Sequence, residues 1–292
     1  MNKASIFLIL TFFTFNVISV DASNQRLEVV TSFSILEDIT KELGGEHINI
    51  INLVPRNNDA HMYIPTPSDA AAIDKADLII FNGLGFEGWI YRLLEDAGGR
   101  GVQLNASRGV DFIMNDNEVD PHAWQSFQNI KIYVTNISEM LIILMPQFSE
   151  YLLNRQKVYL KKLDDLENEL NRKISKISIS KRIVVTSHDA FGYLGREFNI
   201  KFLAPQGFSL DVEATAKDVA AVVDQIRNKQ VSAIFVENIN NPKLLNTIAK
   251  EANVAVGGRL YSDALSEVDG VAGSYLNMMQ HNIQSIINSL DN

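Results

Sequence analysis

Across the first third of the chain the apolar residues alternate between two patterns. Short continuous runs, "RLEVVTSF" (26–33), "INIINLV" (48–54), "DLIIFNG" (77–83) and "VQLN" (102–105), read as strands. Between them apolar positions recur every three or four residues, as at Ile35, Ile39 and Leu43, and read as helices. Gly44-Gly45 closes the first helix, "PSDAAAIDKA" opens with capping residues, and "FEGWIYRLLEDA" supplies a third. Unbroken apolar strands alternating with helices predict a parallel sheet covered on both faces.

The rhythm changes after His122. Residues 126–145 read as a helix and Pro146 interrupts. Residues 147–177 then run without Gly or Pro, with Tyr159, Leu163, Leu166, Leu170, Ile174 and Ile177 forming one apolar stripe. A helix over that whole stretch would be ~45 Å long, more than one small domain needs. A bridge between two lobes is its natural use, with a partner coiled coil as the alternative. Strand and helix patterns then resume: "RIVVTSHD", "AFGYLGREF", "IKFLAPQ", "KDVAAVVDQIRNKQ", "VSAIFVEN", "PKLLNTIAKEA", "VAVGGRL" and a helix around "SYLNMMQHNIQSIINSL". The expected fold class is therefore α/β, with two β/α lobes of mainly parallel sheets joined by one long backbone helix. The expected division is a leader over 1–22, a first lobe over 23–145, the helix over 146–178 and a second lobe over 179–292.

The leader rests on Lys3, the apolar run "IFLILTFFTFNVISV" (6–20) and small residues at Val20 and Ala22, which place a cut after Ala22. No later apolar span approaches the ~20 residues of a membrane helix. A formal charge of −9 argues against a nucleic-acid footprint. The chain contains no cysteine, so disulfides and a thiolate metal site are ruled out. The expectation is an exported, soluble, periplasmic protein without a lipid anchor.

There are five histidines. His47 lies at a helix-to-strand turn and His281 on the last helix, where solvated or structural roles are expected. The other three sit where open α/β sheets collect ligands, in loops beyond strand ends. His61 follows "RNNDA", His122 lies in "EVDPHAWQS", and His188 ends "IVVTS". Asp263, in "GGRLYSDALS", also follows a strand. Taken singly, each histidine reads as readily as a turn residue. Taken together, three imidazoles and one carboxylate from both lobes suit Zn²⁺ in the cleft between them. Four protein ligands leave no open coordination position, the mark of a site that holds a metal. A hydrolase with Asp263 as base is the rival reading.

These blocks resemble the metal-specific solute-binding proteins of bacterial ABC transporters, the zinc and manganese cluster related to the periplasmic zinc-uptake protein. The resemblance rests on "DAHMYIPTPSDAAAIDKADLIIFNGLGFEGW", "DPHAW", "VVTSHDAFGYLGREF" and "FVENINNPKLLNTIAKEANV", followed by "LYSDALS" and "SYLNMMQHN". It implies metal ligands at His61, His122, His188 and Asp263, with small lobe movement because the backbone helix is rigid. It implies carriage of zinc, or alternatively manganese, as cargo to a membrane permease by a monomeric, non-enzymatic protein. Surface adhesion, a role of some members, finds no support in these residues. Two departures bear on the cargo. The histidine- and acid-rich loop common in zinc-uptake members is missing from "SRGVDFIMNDNEVD", and the third ligand is His188, where many manganese-selective members carry glutamate.

Overall fold

Val29, Leu78 and Ile80 point to one side of the first sheet, and Val30, Ile79 and Phe81 to the other, as a strand's two-residue period requires. Strands β1 (Leu27–Phe33), β2 (Ile48–Val54), β3 (Leu78–Phe81) and β4 (Val102–Asn105) pair in parallel in the order β2-β1-β3-β4. Helix α1 (Ser34–Gly44) covers one face, and α2 (Pro67–Lys75) and α3 (Ile90–Ala97) cover the other. Gly45, at φ 58°, ends α1 in a conformation that costs glycine little. Thr66 and Asp69 form a capping box at α2, with Pro67 in the first turn.

The structure is a computed structural model describing residues 26–115, 118–209, 214–229, 231, 233–239 and 241–291. The leader read in residues 1–22 lies outside the described residues.

Helix α3 begins four residues later than the sequence pattern predicts. Leu84 and Gly85 take positive φ (55° and 82°), and the Glu87 carboxylate folds back to accept the N–H groups of Asn82 and Gly83. Residues 84–89 are therefore a loop, and it carries Phe86 inward. A two-residue hairpin, β5 (Met114–Asn115) and β6 (Glu118–Val119), precedes His122; nothing in the hydrophobic pattern announced it. Helix α4 (Phe127–Leu144) follows, capped by Ser126 Oγ.

Helix α5 (Ser149–Ile174) is 26 residues long, or ~39 Å, shorter than the expected run. Pro146–Phe148 forms a separate 3-10 turn, and the buried Arg182 guanidinium accepts the role of end-cap, donating to Ile174 O and Ile177 O. Tyr159, Leu163, Leu170 and Ile174 are buried as the stripe predicts, with Leu166 partly buried.

The second sheet comprises β7 (Ile183–Val185), β8 (Lys201–Leu203), β9 (Ala233–Glu237) and β10 (Val256–Leu260). Every pair in it is parallel, in the order β10-β9-β7-β8. Helices α7 (Ala216–Lys229) and α8 (Lys243–Ala252) pack on its outer face through Val222, Ile226, Leu245 and Ile248. Its inner face meets α6 (Gly192–Phe198) and α9 (Tyr275–Leu290). The inner faces of both sheets, with α1, α4, α5 and α9, form one continuous cluster. Helix α5 spans it, Arg155 Nε donating to Glu42 O at one end and Lys173 Nζ to Gln284 Oε1 at the other. Polar clasps join the halves as well: Arg56 Nη1 donates to Ser266 O and Gly273 O (both 2.9 Å), and Asn57 N to Leu265 O (3.0 Å).

Candidate metal centre

Loops following β2, β6, β7 and β10 deliver His61, His122, His188 and Asp263 to one point. One ligand atom from each lies within 4.8 Å of all the others. His61 Nε2 is 3.3 Å from His122 Nε2 and 3.9 Å from Asp263 Oδ2; His122 Nε2 is 3.5 Å from Asp263 Oδ1; His188 Nε2 is 3.2 Å from Asp263 Oδ2. Donors at ~2.0–2.1 Å around a tetrahedral ion stand roughly 3.3 Å from one another. The observed separations bracket that value, so the donor set fits a divalent transition ion without large rearrangement.

Burial sharpens the point. His122, His188 and Asp263 are wholly buried, whereas the His61 side chain keeps 7% of its surface open. Within the described residues His188 Nε2 and both Asp263 oxygens make no hydrogen bond. Buried polar atoms left in that state are costly, and a shared cation resolves all three. The three rings set the charge balance. Burial opposes ionisation of Asp263, but His122, His188 and His61 outweigh it and hold its carboxyl down at about 2. Burial likewise pulls His188 down, yet Glu237 and Asp263 raise it well above the usual imidazole range. Burial and the nearby Asp263 charge push Asp59 up to about 6.

Around these four stands a layer the sequence reading did not assign. Asp120 Oδ1 accepts His122 N (2.9 Å) and lies 2.8 Å from His122 Nδ1, leaving Nε2 directed inward. Asp59 Oδ1 accepts His61 N at 2.7 Å. Glu237, the last residue of β9, accepts Ser187 N and His188 N through Oε1, and its Oε2 lies 2.7 Å from His188 Nδ1, off the ideal hydrogen-bond direction. The aromatic residue of "PHAW" has a task too. Trp124 Nε1 and Gln125 Nε2 both donate to Ser262 O (2.9 and 2.8 Å), fixing the backbone beside Asp263 across the two halves. Phe86 packs edge-on against His61 (4.5 Å) and Trp124 (4.6 Å), giving the site an apolar wall. Legible signals existed: an aspartate two residues before His122 and a glutamate ending a strand.

The remaining histidines are placed elsewhere. His47 stacks on Phe148 at 3.8 Å, so it is packed rather than simply solvated, and His281 Nε2 faces Arg259 O at 3.0 Å.

Residues 29–289 match the family model described as ZnuA, zinc-uptake complex component A, periplasmic. The chain belongs to the ZnuA family. Its relatives include the manganese ABC transporter substrate-binding lipoprotein PsaA of Streptococcus anginosus, 31% identical, with 92% of this chain and 90% of that protein covered. Another is the manganese-binding lipoprotein MntA of Halalkalibacterium halodurans, 30% identical over 91% and 89% of the two chains. The periplasmic zinc-binding protein TroA from Treponema pallidum superposes with a TM-score of 0.87 at 28% identity, covering 91% of this chain and 99% of its own. A manganese-bound periplasmic metal-binding protein from Candidatus Liberibacter asiaticus superposes at 0.83 with 30% identity, covering 91% and 100%. The ZnuA-family chain is thus a metal-binding, substrate-binding protein of ABC transport, from an extracytoplasmic family whose work is carriage. In the described residues no helix is long and apolar enough to cross a membrane. One expectation is corrected by these relatives. PsaA and MntA are named lipoproteins, so the family does not support a carrier without a lipid anchor, although this sequence has no cysteine.

Proposed function

We propose that His61, His122, His188 and Asp263 bind one divalent transition-metal ion, zinc by preference, and hold it for delivery to an ABC permease. The observation carrying this reading is the convergence of four donors within 4.8 Å of one another, with buried, unbonded atoms on His188 and Asp263. Three imidazoles favour zinc over manganese on the divalent affinity order, and a closed donor set suits holding over catalysis. Entry and exit run past His61, the partly open ligand, which also lines a groove of about 830 Å³ beside Met62, Tyr63 and Trp89. The residue ranges 23–145, 146–178 and 179–292 describe the proposed two lobes and connecting helix.

Manganese is the second reading. Both Asp263 oxygens are turned toward the rings, which permits bidentate binding and a fifth donor, and the PsaA and MntA relatives are named for manganese. Competition calorimetry of metal-free protein with zinc and manganese decides between them. The ion should also stabilise the fold by ~2.7 kcal/mol at a hundredfold excess over its dissociation constant. A melting temperature indifferent to both metals would remove the proposal.

A further inference from the structure

Glu237 is wholly buried, and its carboxylate has two separate tasks. Oε1 collects the amide N–H groups of Ser187 (2.7 Å) and His188 (3.1 Å), where the chain leaves β7. Oε2 faces the Nδ1 edge of the His188 ring at 2.7 Å. Across that ring, Nε2 faces Asp263 Oδ2 at 3.2 Å. The ring is therefore held between two carboxylates, and which nitrogen keeps a proton decides whether Nε2 offers a lone pair.

We propose that Glu237 is a positioning residue that keeps the His188 proton on Nδ1, and so determines how tightly the site holds a divalent cation. This rests on the metal-binding reading above. A carboxylate has only acceptors. Set 2.7 Å from Nδ1, off the ideal hydrogen-bond direction, its negative charge favours a hydrogen on that nearer nitrogen over one on Nε2. Outer partners of this kind orient a metal-bound histidine and raise its donor strength.

The conservative amide exposes the logic. In Glu237→Gln the carbonyl oxygen stays where two backbone N–H groups donate, which turns the NH₂ group toward Nδ1. A donor facing Nδ1 makes that nitrogen an acceptor and moves the ring proton to Nε2. There it bonds to Asp263 Oδ2 and occupies the lone pair the metal needs. Glu237→Ala loses the backbone support but leaves the ring free to protonate on Nδ1. Zinc affinity should therefore fall in the order wild type, Ala, Gln, with the Gln variant weakened roughly 10–100-fold. A purely structural glutamate predicts the opposite order for the two variants, because Gln preserves the backbone bonds.

The experiment combines zinc titration against a chelating indicator with ¹⁵N NMR of histidine-labelled protein, metal-free and zinc-loaded, for wild type and both variants. Support consists of a proton on Nδ1 in zinc-loaded wild type, a proton on Nε2 in the metal-free Gln variant, and that affinity order. A Gln variant that binds zinc as tightly as wild type overturns the proposal, as does an Ala variant weaker than Gln. If the Gln variant fails to fold, the metal-free Ala variant decides: a weaker preference for the proton on Nδ1 than in wild type supports the proposal, and an unchanged proton position overturns it. Should wild type take up no zinc, the metal-binding reading fails separately, and the proton position in the metal-free Gln variant still tests the role of Glu237.

Discussion

After β3 in the first half, Asn82 N and Gly83 N donate to Glu87; after β7 in the second, Ser187 N and His188 N donate to Glu237. Both glutamates are buried and both gather amides at the end of a strand. They differ in what else they touch. Glu87 accepts a hydrogen bond from Ser32 Oγ (2.6 Å), and burial raises its carboxyl above the ordinary value despite that bond and those from Asn82 and Gly83. Glu237 instead faces a ring of the metal centre. The same backbone device thus reaches the candidate site at one remove in the first half, through the loop that carries Phe86, and in direct contact with a candidate ligand in the second. The proposed ligands are also divided between the halves. The first half gives two candidate imidazoles, His122, set between Asp120 and Asp263, and the partly open His61; the second gives the candidate carboxylate Asp263 and His188, set between Glu237 and Asp263, both wholly buried. The second half, which holds the proposed carboxylate ligand and no open edge, is therefore the buried seat, and His61 is the proposed cover.

Breaking that seat should have the largest effect. Asp263→Asn removes the anionic ligand, and zinc affinity should drop by more than the 10–100-fold typical of an outer partner. Calorimetry checks this; a smaller loss would shift weight to the first half. Next, the two ends of the site should respond differently to truncation. His188→Ala strands Glu237 and Asp263 without their partner and should cost the metal-free fold ~3–5 kcal/mol. His61→Ala, at the least buried of the four positions, should weaken zinc binding while costing the metal-free fold less than His188→Ala. Urea unfolding of both variants tests the contrast, and equal losses would erase it.

Acidity should separate loaded from empty protein more gently. The His188 value is raised in the fold, so its contribution to the metal-free protein is full below about 6.5 and is lost as pH climbs through the raised value. Zinc replaces that proton, so affinity should weaken as pH falls and protons return to the rings. Melting curves across pH should show metal-free protein losing stability toward alkaline pH and the zinc-induced gain shrinking toward acid pH. The smallest effect belongs to Glu197, whose carboxylate accepts Phe127 N at 2.8 Å between α6 and α4. Burial raises its carboxyl from 4.5 to about 7, so its ionisation removes stability as pH rises through that interval. Glu197→Gln should stabilise the fold at pH 8 but not at pH 4, by ~1 kcal/mol or less, as urea unfolding at the two pH values would show.

Most of the fold was legible because periodicity reports burial. The strand runs at 26–33, 48–54 and 102–105 recur as β1, β2 and β4, and the stripe through Tyr159 and Leu170 faces the core. What escaped was set by polar contacts distant in sequence. Phe86 to Trp89 carry helical spacing, yet Glu87 bonds back to Asn82 and Gly83, and the loop wins. The long apolar run ends at Ile174 because Arg182, eight residues on, caps its carbonyls. Four residues at strand ends pointed to a candidate site, and the fold brings their donor atoms within 4.8 Å of one another. Their supports did not stand out, since Asp120 and Glu237 look like any loop or strand-end acid until the fold sets them against a ring.

Helix α9 is the last described element, yet Tyr275, Met278, Ile283 and Ile286 complete the cluster shared by both sheets. Tyr275 N also donates to Asp38 Oδ2, and Tyr275 OH to Trp124 O. The cluster shared by both sheets therefore cannot close around the first sheet alone. Helix α9 covers apolar surface on both α1 and α5, so the last helix in chain order completes the interior that the first one begins.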